Sequence, residues 1–272
     1  MTSAGTVEPG STPEGLVLTQ VSKAFGGVTA VKDASFSVML GQIHGLIGPN
    51  GAGKSTVIGL VTGFLRPDSG DIRFGAHDLN RMTPEAIAQV GIARTFQKAT
   101  PLVGLTALEN ILVGMHTRYH GGVLAALVRT SALRREERGM AERAQMILER
   151  FGLADDANTD AGDLPFGKLR FLEIARSMVL EPQLLLLDEP AAGLNRVEAA
   201  RLSALIQGIR STGTGVLIVD HDVPFVFGVC EQVTVMNLGQ ILASDHAAKI
   251  YENPAVREAY LGTQRAQTEA GA

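Results

Sequence analysis

Gly48-Pro49-Asn50-Gly51-Ala52-Gly53-Lys54-Ser55-Thr56 constrains this chain more than any other segment of it. The stretch satisfies G-x-x-x-x-G-K-[ST] at every fixed position. An apolar run, Gln42-Ile43-His44-Gly45-Leu46-Ile47, precedes it, and Thr56-Val57-Ile58-Gly59-Leu60-Val61 follows with helical character. A strand, a glycine loop and a helix in that order make a cradle for phosphate. The glycines let backbone N–H groups turn inward, and the helix adds the positive end of its dipole. Lys54 is expected to reach the β- and γ-phosphates and the Ser55 hydroxyl to sit on Mg²⁺. The chain is therefore expected to bind a nucleoside triphosphate through Gly48, Pro49, Asn50, Gly51, Ala52, Gly53, Lys54, Ser55 and Thr56.

Leu184-Leu185-Leu186-Leu187-Asp188-Glu189-Pro190 supplies the second half of such a site. Four aliphatics in a row suit a strand buried on both faces, and its last residue falls at the carboxyl edge of a parallel sheet, where ligands bind. Asp188 is expected to hold Mg²⁺ opposite Ser55, and Glu189 to polarise the attacking water as a general base. His221, in Val219-Asp220-His221-Asp222, follows another apolar strand and lands on the same edge, where it can hydrogen-bond the γ-phosphate. Gln97, in Arg94-Thr95-Phe96-Gln97, follows a short strand and can contact Mg²⁺ or the attacking water.

The 272 residues, 45% hydrophobic and 19% charged, suit a globular protein with a sizeable core. A formal charge of −4 gives no field for wrapping nucleic acid. Cys230, the single cysteine, rules out an internal disulfide, and its apolar neighbours imply a packed thiol. No apolar run reaches the roughly 18 residues of a membrane span, and the N-terminus lacks the pattern of a signal peptide.

Along the chain, residues 1–14 are poor in anything to bury and are expected to be disordered. Leu16-Val17-Leu18, Ala34 to Leu40 and Gln42 to Ile47 read as strands, with turns at Gly26-Gly27 and Gly41. Asp71-Ile72-Arg73-Phe74 reads as a short strand. Thr83 caps a helix that has Pro84 at its first position and stops at Gly91. A mostly helical insertion is expected over about 98–163. Within it Ser131 to Phe151 places Leu133, Met140, Ala144, Ile147 and Phe151 on one face, with mixed charges on the other. The apolar Gly121-Gly122-Val123-Leu124-Ala125-Ala126-Leu127-Val128 reads as a short buried helix. Later come the strand Leu184 to Leu187, helices Leu169 to Leu180 and Val197 to Ile209, and strands Val216 to Val219 and Gln232 to Met236. A helical tail is expected over Ala247 to Gly262.

These motifs, in this order, resemble an ATP-binding-cassette ATPase from about Leu16 to Gly262. The resemblance implies an α/β fold: a P-loop NTPase core with a mixed, mainly parallel sheet, an antiparallel β subdomain and a helical insertion subdomain. One ATPase domain would cover 15–262, with core segments 15–97 and 164–262 and a frayed tail over 263–272. By the same resemblance Phe25 stacks on adenine, and Gln97 forms the loop that couples the site to transmembrane subunits. Leu164-Pro165-Phe166-Gly167-Lys168 lies at the signature that meets the other subunit's nucleotide. Ala192-Gly193-Leu194-Asn195 matches the loop that crosses the dimer interface.

A narrower resemblance is to the ATP-binding subunits of branched-chain amino-acid importers. It rests on Arg94-Thr95-Phe96-Gln97, Gly122-Val123-Leu124, Leu172-Glu173-Ile174-Ala175-Arg176, Asp188 to Asn195, and Asn253 to Gly262. That resemblance implies ATP and Mg²⁺ as cofactors and a second ATP-binding subunit, identical or not. It further implies two permease partners, an extracytoplasmic solute-binding protein reached through them, and a location on the inner face of the cell membrane.

The signature departs from the family's Leu-Ser-Gly-Gly-Gln at three positions: Pro165 for serine, Phe166 for the first glycine, Lys168 for glutamine. Pro165 offers neither hydroxyl nor N–H. The Gly167 N–H, the following helix's dipole and the Lys168 ammonium remain as groups that could meet a partner's γ-phosphate. Losing one such bond at a developing charge is worth about 2–4 kcal/mol. Other solutes within the family (urea- or amide-type import, lipid or lipopolysaccharide export) and a non-transport regulatory cassette are the competing readings. A GTP switch lacks its Asn-Lys-x-Asp motif here, and small-molecule kinases would explain neither Glu189 nor His221.

Overall fold

The computed structural model describes residues 14–95, 101–115 and 131–258, with side chains in the last segment described from residue 138. Two sheets carry the fold. The first is antiparallel, in the order β2 (Val28–Met39), β1 (Gly15–Phe25), β4 (Ser69–Phe74), β5 (His77–Asp78). The second is six-stranded, in the order β10 (Gln240–His246), β9 (Gln232–Asn237), β3 (Ile43–Ile47), β8 (Gly215–Val219), β7 (Leu184–Asp188), β6 (Ile92–Arg94). Its strands are parallel except β10, which returns antiparallel along β9.

β3, β7 and β8 are buried at every position, as strands covered on both faces must be. Alternate residues feed two different cores. Leu185 and Leu187 of β7 join Val216 and Ile218 of β8 against the helices of one face. Leu184 and Leu186 join Leu217 and Val219 against the antiparallel sheet on the other. Gly45 of β3 is small for a packing reason, since a Cβ there would lie 2.5 Å from Val226 Cγ1 and 3.1 Å from Cys230 Sγ. Cys230 is buried as its neighbours imply, and burial pushes its thiol pKa up.

The helix α1 (Lys54–Val61) follows β3. Then α2 (Pro84–Gln89) starts at Pro84 with Thr83 Oγ1 accepting from the Ala86 N–H. Within the expected insertion, α3 (Ala107–Met115) is held by a reciprocal cap. Thr106 N–H donates to Glu109 Oε2 at 2.8 Å and Glu109 N–H to Thr106 Oγ1 at 3.2 Å. The long α4 (Ser131–Arg150) buries Ala144 and Leu148, and Phe151 lies buried just past its end. Met140 and Ile147 are partly buried beside them, as the spacing of that face implies. The helix α5 spans Phe166–Met178, starting three residues before and ending two before the Leu169 to Leu180 read from sequence, because Pro165 serves as its N-cap. Next come α6 (Arg196–Arg210) and α7 (Val223–Val229).

The terminal helix is broken where a continuous one is expected. α8 (Ala247–Glu252) stops at Asn253, whose φ, ψ of −67°, 118° is extended because Pro254 follows. A second short helix occupies 254–258, and residues beyond it lie outside those described. The 121–128 helix and the disorder expected for the first residues also fall outside the described segments. β5, β10 and α7 were not legible as elements.

His44, inside β3, is 4% exposed, and its Nε2 pairs with Thr234 Oγ1 at 2.8 Å. Burial holds its pKa at about 4, below the 6.5 of the exposed group. Between those values the unfolded chain takes up a proton that the folded chain refuses. Stability from this group is full above pH 6.5 and is lost as pH falls toward 4, at up to about 1.4 kcal/mol per pH unit. Urea denaturation is expected to show about 2 kcal/mol lost between pH 7 and pH 5 on this account. His44→Gln should flatten that part of the profile, whatever it costs at pH 7.

Candidate active site

Sheet register sets the site. Leu46 of β3 pairs with Val219 of β8, and Val219 pairs with Asp188 of β7, so three strands end on one row. Beyond that row lie the glycine loop, Glu189, and Asp220-His221. The carboxyl rim of a parallel sheet is where such loops converge.

The loop itself needs glycine for stated reasons. Gly53 has φ of 103° and sits against β2, so a Cβ there would strike the Ala30 carbonyl. A Cβ at Gly48 would strike the Met236 carbonyl at the end of β9. The loop is therefore clamped between both sheets. Contact with Ala30 also brings the β1–β2 hairpin, and Phe25 on it, up to the cradle. Phe25 is 46% exposed, and Lys23 Nζ lies over its ring, 5.5 Å from the centroid.

Lys54 is buried, and its Nζ donates to the Gly48 carbonyl at 2.6 Å and the Pro49 carbonyl at 3.1 Å. The ammonium thus curls over the loop that carries it. Burial draws its pKa down, against the pull of Glu189, Asp188 and Asp220 in that order. That those three carboxylates are its Coulombic neighbours gives the convergence of the rim in electrostatic form.

Asp188 is 4% exposed, and burial raises its pKa while Arg94 beside it opposes the rise. Glu189 has φ of 48°, a left-handed conformation uncommon for a side chain of its size, and its N–H donates to the Val219 carbonyl at 2.7 Å. The turn lifts its carboxylate off the strand, and Oε1 lies 3.5 Å from His221 Nδ1. Sequence reasoning placed Glu189 and His221 on one edge, and the structure brings them into contact.

Asp220 was missed. Its side chain is fully buried and accepts N–H bonds from His221 (2.7 Å), Asp222 (3.0 Å) and Ala191 (3.3 Å). It ties the loop after β8 to the loop after β7, and so fixes His221 relative to Glu189. Burial raises its pKa and the N–H donors oppose that rise. The available signal was its position: like Asp188, it ends a run of buried aliphatics. Arg94 was quoted in sequence but given no role; its Nη2 donates to Asp188 Oδ2 at 3.0 Å.

Among the expected signature residues, Pro165 caps α5 without a side-chain bond, and Phe166 packs on Gly193 of the neighbouring loop. Gly167 is roofed by the Glu198 carboxylate, which leaves no room for a Cβ. The Lys168 ammonium bonds both oxygens of Asp156, at 2.8 and 2.7 Å, so a partner's phosphate would have to draw it from that pair. Asn195 caps α6 through a reciprocal box with Glu198, which occupies its side chain. Gln97 lies outside the described residues.

No group of three His, Cys, Asp or Glu side chains among the described residues could hold a metal. A hard cation such as Mg²⁺ does not need one, since it binds through one or two oxygens plus phosphates and keeps its waters. The Ser55 hydroxyl and the Asp188 carboxylate are donors of that kind.

A glycine loop clamped against a parallel sheet, with buried lysine and carboxylates at the strand ends, defines a P-loop nucleotide-binding protein. Residues 31–192 match the ABC transporter family, and the chain belongs to that family. It is 41% identical over 239 residues to the high-affinity branched-chain amino acid transport ATP-binding protein LivG of Salmonella typhimurium, covering 88% of this chain and 94% of that one. It is also 41% identical over 248 residues to the corresponding protein BraF of Pseudomonas aeruginosa, covering 91% and 97%. Among solved structures it resembles the ADP conformation of MJ1267, an ATP-binding cassette of an ABC transporter. That likeness has a TM-score of 0.80 and 31% identity, and covers 92% of this chain and all of that one.

Truncating Asp220 leaves three N–H donors, that of Ala191 buried, without their shared acceptor. Asp220→Ala is expected to lose about 2–4 kcal/mol of stability in chemical denaturation.

Proposed function

We propose that this chain is the ATP-hydrolysing subunit of an importer for branched-chain or related hydrophobic amino acids. The observation that carries the reading is the register that ends β3, β8 and β7 on one row, with Lys54 near enough to Glu189 and Asp188 to feel their charge. Relatives that match nearly the whole chain add the transport context. In this reading 15–262 form one ATPase domain, with the helical insertion at about 98–163.

The glycine loop and Lys54 bind the triphosphate, with Phe25 against the base. Ser55, Asp188 and Gln97 would hold Mg²⁺, which when bound neutralises charge on the β- and γ-phosphates. Lys54 must give up its bonds to Gly48 and Pro49 when phosphate oxygens offer a stronger, charge-assisted partner. Glu189 accepts a proton from the attacking water, and His221 donates a hydrogen bond toward the γ-phosphate. His221 Nδ1 lies 3.5 Å from Glu189 Oε1, which sets the histidine beside that base. A second ATP-binding subunit completes the site from across a dimer, and permease subunits convert its closing and opening into solute movement. Among the described residues no helix is long and apolar enough to cross a membrane, so attachment at the inner membrane face falls to those partners.

Glu189→Gln removes the base and leaves the cradle intact. It is expected to bind ATP as tightly as wild type while turnover falls about 10²–10⁴-fold. Equal loss of binding and turnover would contradict the assignment. The solute is tested by reconstituting the chain with its permeases in vesicles: ATP-dependent uptake of leucine, isoleucine or valine is expected, and uptake of only unrelated solutes overturns the solute assignment.

The signature generates a separate expectation. With Pro165 unable to donate and Lys168 engaged by Asp156, this chain's second half-site should be the weaker one in the assembled complex. Pro165→Ser should raise ATPase of the complex by about thirtyfold or more, the rate equivalent of regaining one hydrogen bond worth about 2 kcal/mol at a developing charge.

A further inference from the structure

The Arg94–Asp188 pair joins the ends of neighbouring strands. Arg94 of β6 aligns with Leu186 of β7, so Asp188 lies two residues further along and on the same face. The side chains are 19% and 5% exposed, and Nη2 stands 3.0 Å from Oδ2. Thr95 continues the clasp. Its N–H donates to the Leu186 carbonyl at 2.9 Å, and its Oγ1 accepts from the Asp188 N–H at 3.4 Å. The end of β6 therefore grips the end of β7 at its carboxylate, immediately before the segment that contains Gln97.

This carboxylate is also the one assigned to Mg²⁺, so a role for Arg94 toward the cation rests on that reading of the site. A guanidinium satisfies a buried carboxylate well, being planar, permanently charged and weakly hydrated. Magnesium asks for more: oxygen ligands at about 2.0–2.1 Å in near-octahedral directions, with its remaining waters in place. An oxygen that accepts the Arg94 N–H cannot also serve the cation or a cation-bound water along the same lone pair, and two cations at one carboxylate repel.

We propose that Arg94 is a displaceable stand-in for the metal ion. It occupies Asp188 while the nucleotide site is empty and leaves when Mg·ATP enters, so that loading of the site loosens the grip of β6 on β7. Arg94 is on this account a positioning residue. Its pair with Asp188 competes with the cation, and by reciprocity the cation weakens the pair.

The competition has a measurable size. A pair closed nine-tenths of the time lowers apparent cation affinity roughly tenfold, because only the open fraction is competent. The test titrates Mg²⁺ into full-length protein at fixed ATP, follows fluorescent-ATP displacement, and repeats the titration on Arg94→Gln. Melting of each protein is recorded without nucleotide and with saturating Mg·ATP. The variant is expected to melt lower than wild type without nucleotide, by about 5 °C or more, since a buried carboxylate has lost its partner. Its Mg²⁺ midpoint should fall by roughly tenfold, and Mg·ATP should close most of the gap in melting temperature. A merely structural role for Arg94 would leave the midpoint where it is.

An unchanged or higher midpoint, in a protein that still binds Mg·ATP, overturns the proposal and leaves the nucleotide-site reading standing. Wild type that binds no ATP with or without Mg²⁺ overturns that reading and this inference together. If Arg94→Gln does not fold, Arg94→Lys carries the same comparison. A shift of the midpoint in the same direction, though smaller, supports the proposal, and no shift overturns it.

Discussion

The register between β3, β8 and β7 is the constraint on which the chemistry of this protein depends. Leu46, Val219 and Asp188 stand side by side, so everything one or two residues beyond them meets at one rim. A slip of one residue between β7 and β8 would turn Leu184 to Leu187 over and exchange the two cores they feed. The register is held because both faces are committed: Leu185 and Leu187 belong under the helices, and Leu184 and Leu186 under the antiparallel sheet. Precision at the site is thus inherited from aliphatic packing several residues away.

Charge is crowded at that rim. Three carboxylates and a lysine gather in a partly dry environment that disfavours each of them alone. Lys54 is answered by two loop carbonyls, Asp220 by three backbone N–H groups, and Asp188 by Arg94. These are not equivalent. The Asp220 bonds run between two loops of the rim and fix their relative position. The Lys54 and Arg94 bonds engage Lys54 and Asp188, the groups proposed to meet a nucleotide and its cation, so on that reading they exchange without unfolding anything.

The segment from Pro165 to Lys168 shows the same economy with a different outcome. Phe166 fills space against Gly193, the Glu198 carboxylate lies over Gly167, and Lys168 turns to Asp156. The side chains of Phe166 and Lys168, both departures from the family pattern, thus have partners within this chain. The helix start nonetheless leaves Phe166 49% exposed, so that ring, with the backbone N–H groups and the helix dipole, faces outward to a neighbour.

Much of this was legible in the sequence. The glycine loop declared itself because its residues are consecutive and its chemistry is local. The aliphatic run before Asp188-Glu189 declared a buried strand and, with it, an acid at the strand end. What stayed hidden depends on residues distant in the chain. Asp220 looks like any aspartate until Ala191, 29 positions away, is seen donating to it. Arg94 reads as a strand-edge charge until β6 is laid beside β7. The Lys168–Asp156 pair is not visible in sequence, because Asp156 lies twelve residues upstream and is brought beside Lys168 only by packing of the helical segment. Local pattern determined which elements form and which groups carry chemistry, because periodicity and loop geometry are properties of neighbours in sequence. Only the tertiary structure decided which of those groups touch, since a buried charge takes whichever partner the packing of remote strands and helices delivers to it.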